Sequence, residues 1–207
     1  MCKVIIDTDF LNHILKTPHG EAIMTAIKNY YGFHFCMHPW VYDREIRGLN
    51  TRVESFVQKN VEIFDYADFI SSPVEGMMYE MYFKEIYRAM NRKELDLGGQ
   101  TYQSYNKSQE NLGEIHSVIM AMFTNIPLLL SDDYNAKEIA AKRINSSGYF
   151  LDEKKSFDIL CEIISKDKTV IEKNDVYSVI DNYKRDHKAL KKQIDALYKA
   201  VETDIVK

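Results

Sequence analysis

The chain predicts an α/β domain of the βαβ type followed by a helical C-terminal extension, and three observations predict it. The opening "MCKVIIDTDFLNHIL" sets a β-branched run, Val4-Ile5-Ile6, directly before an amphipathic stretch, the pattern of a strand feeding a helix. Short apolar runs and helix-period segments then keep alternating down the chain, as stacked βαβ units require. No internal repeat, low-complexity tract or linker interrupts that alternation. With 207 residues, 45% hydrophobic and 28% charged, the chain has the composition of a globular domain with its own core.

The first strand is expected over 3–7. Helical spacing follows over 10–16 and 21–31, and Pro18-His19-Gly20 separates the two segments. "GFHFCM", with aromatics at alternate positions, reads as the second strand. Pro39 then stands at the favoured first turn of a helix over 40–47. "VEIFDY", from Val61, is the third strand. Pro73 opens a helical pattern to about residue 90, where Met77, Met81 and Tyr82 imply core or partner-facing packing rather than a cofactor site. Periodicity lapses over 91–111, a polar loop holding Gly98-Gly99, of the kind that forms lids or binding segments. It returns in "GEIHSVIMAMF", with Ile115, Val118, Ile119 and Met122 on one helical face, and "IPLLLS" is a buried strand before the helix "YNAKEIAAKRI". A fifth short strand is expected at Tyr149-Phe150-Leu151, and helices over 156–165 and 175–201 close the chain.

Composition narrows the function classes. No run approaches the roughly 18 apolar residues of a membrane helix, and Lys3 is not followed by the apolar region and cleavage site of a secretory signal. A cytoplasmic location without membrane contact is therefore expected. Cys2, Cys36 and Cys161 are odd in number, far apart and without CxxC spacing, which argues against a disulfide framework and against a structural zinc site. The net charge of -4 offers no overall basic footprint for nucleic acid. Residues 182–199 nevertheless hold six basic residues against two acidic ones, and a solvated helix face is the plainest reading of them.

Four acids occupy comparable places: Asp7 after the first strand, Glu45 on the helix after the second, Glu114 opening a helix, and Asp133 after "IPLLLSD". Each alone has an ordinary role open to it. Asp132 and Asp133 suit a helix N-cap, Glu114 suits a first turn, and Glu45 suits a surface ion pair. Together they mean more. If the first strand and "IPLLLS" are parallel neighbours, Asp7 and Asp133 share the crevice beyond the strand carboxyl ends, where open α/β sheets bind ligands. Clustered carboxylates repel, so such a site is stable mainly when a divalent cation neutralises it.

The same residues carry a resemblance. "VIIDTDFL" and "NLGEIHSVIMAMFTNIPLLLSDDYNAKEIAAK" resemble the PIN-domain nucleases: a strand ending in Asp-Thr, a Gly-Glu that opens a helix, an apolar strand ending in Ser-Asp-Asp, and an Ala-rich helix. The resemblance implies an αβα sandwich around a mainly parallel, roughly five-stranded sheet over residues 1–180, with 181–207 as the helical extension. It implies an acidic quartet of Asp7, Glu45, Glu114 and Asp133, catalytic and metal-holding, with Asp43 as the alternative to Glu45 and with Asp9 and Asp132 as supporting acids. It implies Mg²⁺ or Mn²⁺ and hydrolysis of RNA to leave a 3′-hydroxyl, with Arg44, Arg47, Lys137, Lys142 and Arg143 as candidates for backbone contact.

Small members of this organisation are often toxins paired with an antitoxin, so the resemblance also raises an antitoxin or other protein partner, and a homodimer. The polar loop before Gly113 and the tail beyond Lys184 exceed what the domain needs. Two other readings stand beside this one. A PIN-like domain without turnover would bind RNA or protein through its Met/Tyr-rich helix and tail. Asp7-Thr8-Asp9 also resembles the DxD nucleophile of haloacid-dehalogenase-type phosphotransferases, although Leu11 replaces that pattern's usual Thr or Val and the Gly-Glu block is then unexplained.

Overall fold

Five parallel strands run in the order β3-β2-β1-β4-β5: β1 (Cys2–Ile6), β2 (Phe33–Met37), β3 (Val61–Ile63), β4 (Leu128–Leu130) and β5 (Asp152–Lys154). The computed structural model describes residues 2–48, 51–107, 111–132, 149–183 and 187–203. Asp133, Lys137, Lys142, Arg143, the helix expected at "YNAKEIAAKRI", Lys184 and Arg185 lie outside the described residues.

On β1, Val4, Ile5 and Ile6 are consecutive and fully buried, because a parallel sheet covered by helices on both faces has no solvent side on which to alternate. The helices pack as two sets. One holds α1 (Thr8–Leu15), α2 (Gly20–Tyr31), α4 (Thr51–Asn60), α7 (Ser156–Lys166), α8 (Lys173–Ile180) and α9 (His187–Thr203); the other holds α3 (Pro39–Val41), α5 (Pro73–Asn91) and α6 (Leu112–Thr124). The result is the expected α/β sandwich. From β1 the chain winds outward through β2 and β3, then returns to place β4 on β1's other side, with Ile6 opposite Leu130. That reversal puts the topological switch point, and its crevice, at the carboxyl ends of β1 and β4.

Several expectations are corrected. The fifth strand is Asp152–Lys154, not 149–151. Tyr149 instead sends its hydroxyl to the carbonyls of Ala121, at 2.8 Å, and Ile126, so its aromatic signal marks a loop packed on the core, while a charged strand suits the sheet edge. The stretch after β2 is a short helix, Pro39–Val41, that widens into a π-helical turn, Tyr42–Ile46, closed by Arg47 N–H donating to the Tyr42 carbonyl at 2.9 Å. Helix α4 has no counterpart in the sequence reading: it is polar apart from Val53, Phe56 and Val57, which it buries. The single closing helix over 175–201 is two, ending at Ile180 and restarting at His187.

The 91–111 loop is held down where described. Tyr102 stacks on Tyr79 with centroids 4.8 Å apart, and the carbonyl of buried Tyr105 accepts the Trp40 indole N–H at 3.1 Å. On α5, Tyr79, Phe83, Ile86 and Tyr87 face the core, whereas Met77 and Met81 stand exposed beside Val74 and Met78. The C-terminal helix docks on the domain: Ile194 is buried, the Tyr198 hydroxyl donates to the Ile171 carbonyl, and Asp195 meets Tyr177 and Lys173. No helix of the described residues is long and apolar enough to cross a membrane.

Candidate functional site

Asp7 leaves the carboxyl end of β1 in extended backbone (φ -96°, ψ 161°). Its N–H donates to the Leu130 carbonyl at 2.9 Å, which fixes it beside β4. The position is that of a helix N-cap, yet the carboxylate makes no capping bond to α1. It accepts instead from Ser131 Oγ, at 3.2 Å, and the residue is 2% exposed.

Glu45 arrives from the π-helical turn. Thr8 Oγ1 donates to its Oε2 at 2.6 Å, so the residue after Asp7 orients the second acid. Gly113, in the first turn of α6, lies against the same carboxylate: a Cβ there would stand 2.4 Å from Glu45 Oε1. Any other residue would push the acid away or unseat the helix. Glu114 follows directly, in the first turn of α6. Three elements distant in sequence thus bring Asp7, Glu45 and Glu114 to the crevice of β1 and β4.

Their electrostatics bind them into one unit. Burial first, and then the Glu114 charge, hold the Asp7 carboxyl well above the usual range, with Asp9 adding to the effect while the Thr8 N–H and Ser131 oppose it. Burial pushes Glu45 up to about 7, the Asp7 charge comes second, and Thr8 opposes. Among the described residues, neither Asp7 nor Glu45 is paired with a basic side chain. Asp7 and Glu45 offer oxygen donors, the class that suits Mg²⁺ or Mn²⁺ rather than a softer metal, and the carboxylates of Asp7, Glu45 and Glu114 do not all lie within 4.8 Å of one another.

The other expected residues separate. Asp9 is exposed on α1, with its charge acting on both acids. Asp43 turns outward to Arg47 at 3.3 Å, with both side chains more than half exposed, so of the two alternatives it is Glu45 that faces Asp7. Asp132 is engaged elsewhere: it accepts from the Ser156 N–H at 2.8 Å and meets His13 Nδ1 at 2.6 Å, tying the end of β4 to the start of α7. Arg44 and Arg47 line a cavity of about 290 Å³ with Trp40, Asp43, Tyr66 and Gln103, on the outer side of the turn that carries Glu45. The sequence reading missed Thr8 and Ser131 as orienting donors, and it took Gly113 only as part of a motif.

Behind this site runs a buried polar chain that sequence reading also missed. His38 Nδ1 accepts the Trp40 N–H at 3.0 Å, Tyr79 OH lies 3.0 Å from His38 Nε2, and it lies 2.6 Å from His116 Nδ1. The bonds assign the protons: His38 donates from Nε2 to Tyr79, and Tyr79 donates to His116. Burial, then the neighbouring His116, holds His38 well below the usual imidazole range, and burial pushes His116 down to about 3. Both rings are therefore neutral near pH 7, and the chain locks α5 and α6 to the end of β2. No family model, curated protein or solved structure matches the chain.

Proposed function

We propose that the chain is a divalent-cation-dependent nuclease of the PIN-like kind, hydrolysing RNA phosphodiester bonds. The observation that supports it most is the convergence of Asp7, Glu45 and Glu114 at the switch point of the sheet, with Asp7 and Glu45 paired with no basic side chain among the described residues. Asp7, Glu45 and Glu114 hold Mg²⁺ or Mn²⁺ in this reading, with Asp133 of the same acidic pattern. Bound there, the cation supplies Lewis-acid activation of a water and of a phosphoryl oxygen at neutral pH.

The chain's own residues do the rest. Ser131 and Thr8 fix the carboxylates of buried Asp7 and half-buried Glu45 through the hydrogen bonds they donate, so the acids need little reorganisation when substrate arrives. Arg44 and Arg47, which line the same cavity, meet backbone phosphate in this reading. An antitoxin or other protein partner belongs to the same reading and has exposed apolar surface available at Val74, Met77, Met78 and Met81.

The test is RNA cleavage by wild type and Asp7→Asn with Mn²⁺ and with a chelator, with folding followed by circular dichroism. Wild type should cleave only with metal. Asp7→Asn should retain its fold and lose roughly 100-fold or more, since even changes behind a metal ligand cost up to about that much. Full cleavage by a folded Asp7→Asn protein would remove Asp7 from the site, and a wild type inert on RNA with Mn²⁺ would remove the activity.

A further inference from the structure

A second group of metal-ligating side chains lies away from the carboxyl-end crevice, on the strands themselves. His34 and Cys36 are two residues apart on β2 and so leave the sheet on one face. The parallel register sets Cys36 opposite Glu62 on β3, the edge strand. One donor atom from each of the three lies within 4.8 Å of the other two. We propose that His34, Cys36 and Glu62 form a binding site for a zinc-type divalent cation that ties the edge strand β3 to β2.

The donor set decides the metal. Imidazole, thiolate and carboxylate together match Zn²⁺ and its spectroscopic substitute Co²⁺, whereas the oxygen-only crevice suits Mg²⁺ or Mn²⁺. The present spacing is close to what coordination needs. Cys36 Sγ stands 3.8 Å from Glu62 Oε2, and tetrahedral zinc would set such a pair at about 3.6 Å. His34 Nε2 stands 2.7 Å from the same carboxylate oxygen and would open to about 3.3 Å. Ions reach the site because the side chains of His34 and Glu62 are 35% and 37% exposed. A fourth position is left to solvent.

The site has an occupant to displace. Lys3 Nζ pairs with Glu62 at 2.9 Å, and the Lys3 side chain is 47% exposed, so the ammonium can turn to solvent as the metal enters. Coordination sends the Cys36 thiol proton to bulk solvent and places the His34 proton on Nδ1, leaving Nε2 to the metal. The absence of CxxC spacing argues only against a zinc site built from ligands close in sequence, and these ligands are joined by strand register across β2 and β3.

The experiment is a Co²⁺ titration of the full chain in excess Mg²⁺, which occupies the oxygen site, followed through the near-ultraviolet thiolate-to-cobalt charge-transfer band. Wild type should develop the band, and Zn²⁺ should abolish it. Half-exposed His34→Gln and Glu62→Gln should each weaken binding by roughly tenfold or more, and Cys36→Ser should remove the band. Lys3→Met should bind roughly tenfold tighter, because no ammonium then competes for the Glu62 carboxylate. Zn²⁺ should also raise the melting temperature of wild type and not of Glu62→Gln. A folded wild type without the band overturns the proposal. So does a band that survives Glu62→Gln and His34→Gln at unchanged affinity, which would assign it to Cys2 or Cys161.

Discussion

Replacing Glu45 by Gln should stabilise the metal-free protein at alkaline pH while removing its metal-dependent activity. Glu45 sits between Asp7, Thr8 and Gly113, and its carboxyl titrates at about 7 instead of the ordinary 4.5. A carboxyl raised in this way favours the folded state while it is protonated, below about 4.5, and that contribution is lost as pH rises through about 7. At about 1.4 kcal/mol per pH unit, the interval amounts to roughly 3 kcal/mol. Gln keeps an oxygen for Thr8 to donate to and never acquires the charge.

Urea unfolding with a chelator at about pH 5 and about pH 8 brackets the interval. Wild type should lose stability between the two, and Glu45→Gln should lose less, ending more stable than wild type at the higher pH by roughly 1 to 3 kcal/mol. Asp7 adds to the pH slope of both proteins, and because its charge acts on Glu45, the difference between them reports Glu45 together with that coupling. Mn²⁺ should reverse the order by stabilising wild type more. A Glu45→Gln protein with the wild-type slope, or one less stable at about pH 8, would refute the reasoning.

Gly113→Ala should keep the helix, since the position is helical, but its Cβ meets Glu45 Oε1 at 2.4 Å; cleavage should fall on the order of 100-fold, and wild-type rates would show that Glu45 gives way freely. Tyr79→Phe should cost about 1 to 3 kcal/mol in denaturant unfolding, because it strands buried His38 Nε2 and His116 Nδ1; an unchanged midpoint would mean that the chain adds nothing to stability. For the basic tail, the probes are Lys188 and Lys192, both exposed on the C-terminal helix. If they meet phosphate, changing both to Gln should flatten the log-log salt dependence of RNA binding by roughly 1.4 to 1.8 and leave the saturated cleavage rate alone. An unchanged slope assigns them to a solvated helix face.

The sequence by itself determined the elements whose signal is local. Val4-Ile5-Ile6, "GFHFCM" and "IPLLLS" are apolar or alternating runs that only a strand buries well, and the 3.6-residue spacing of Ile115, Val118, Ile119 and Met122 only a helix does. It also determined that Asp7 stands at a strand end, because the run of apolar residues stops there. Tertiary structure decided what depends on neighbours. Helix α4 forms with three buried side chains because the core accepts them, and the charged segment Asp152–Lys154 is a strand only because β4 offers it a partner. The choice of Glu45 over Asp43 rests on a π-helical turn that changes the angular register from one residue to the next, and no local pattern marks such a turn. Gly113 matters through a carboxylate 68 residues earlier by number (113 - 45), and His34, Cys36 and Glu62 meet only through the register of β2 on β3. Periodicity is a property of one segment facing a generic core, whereas a site is a set of distances between segments, and those distances exist only once the sheet order is settled.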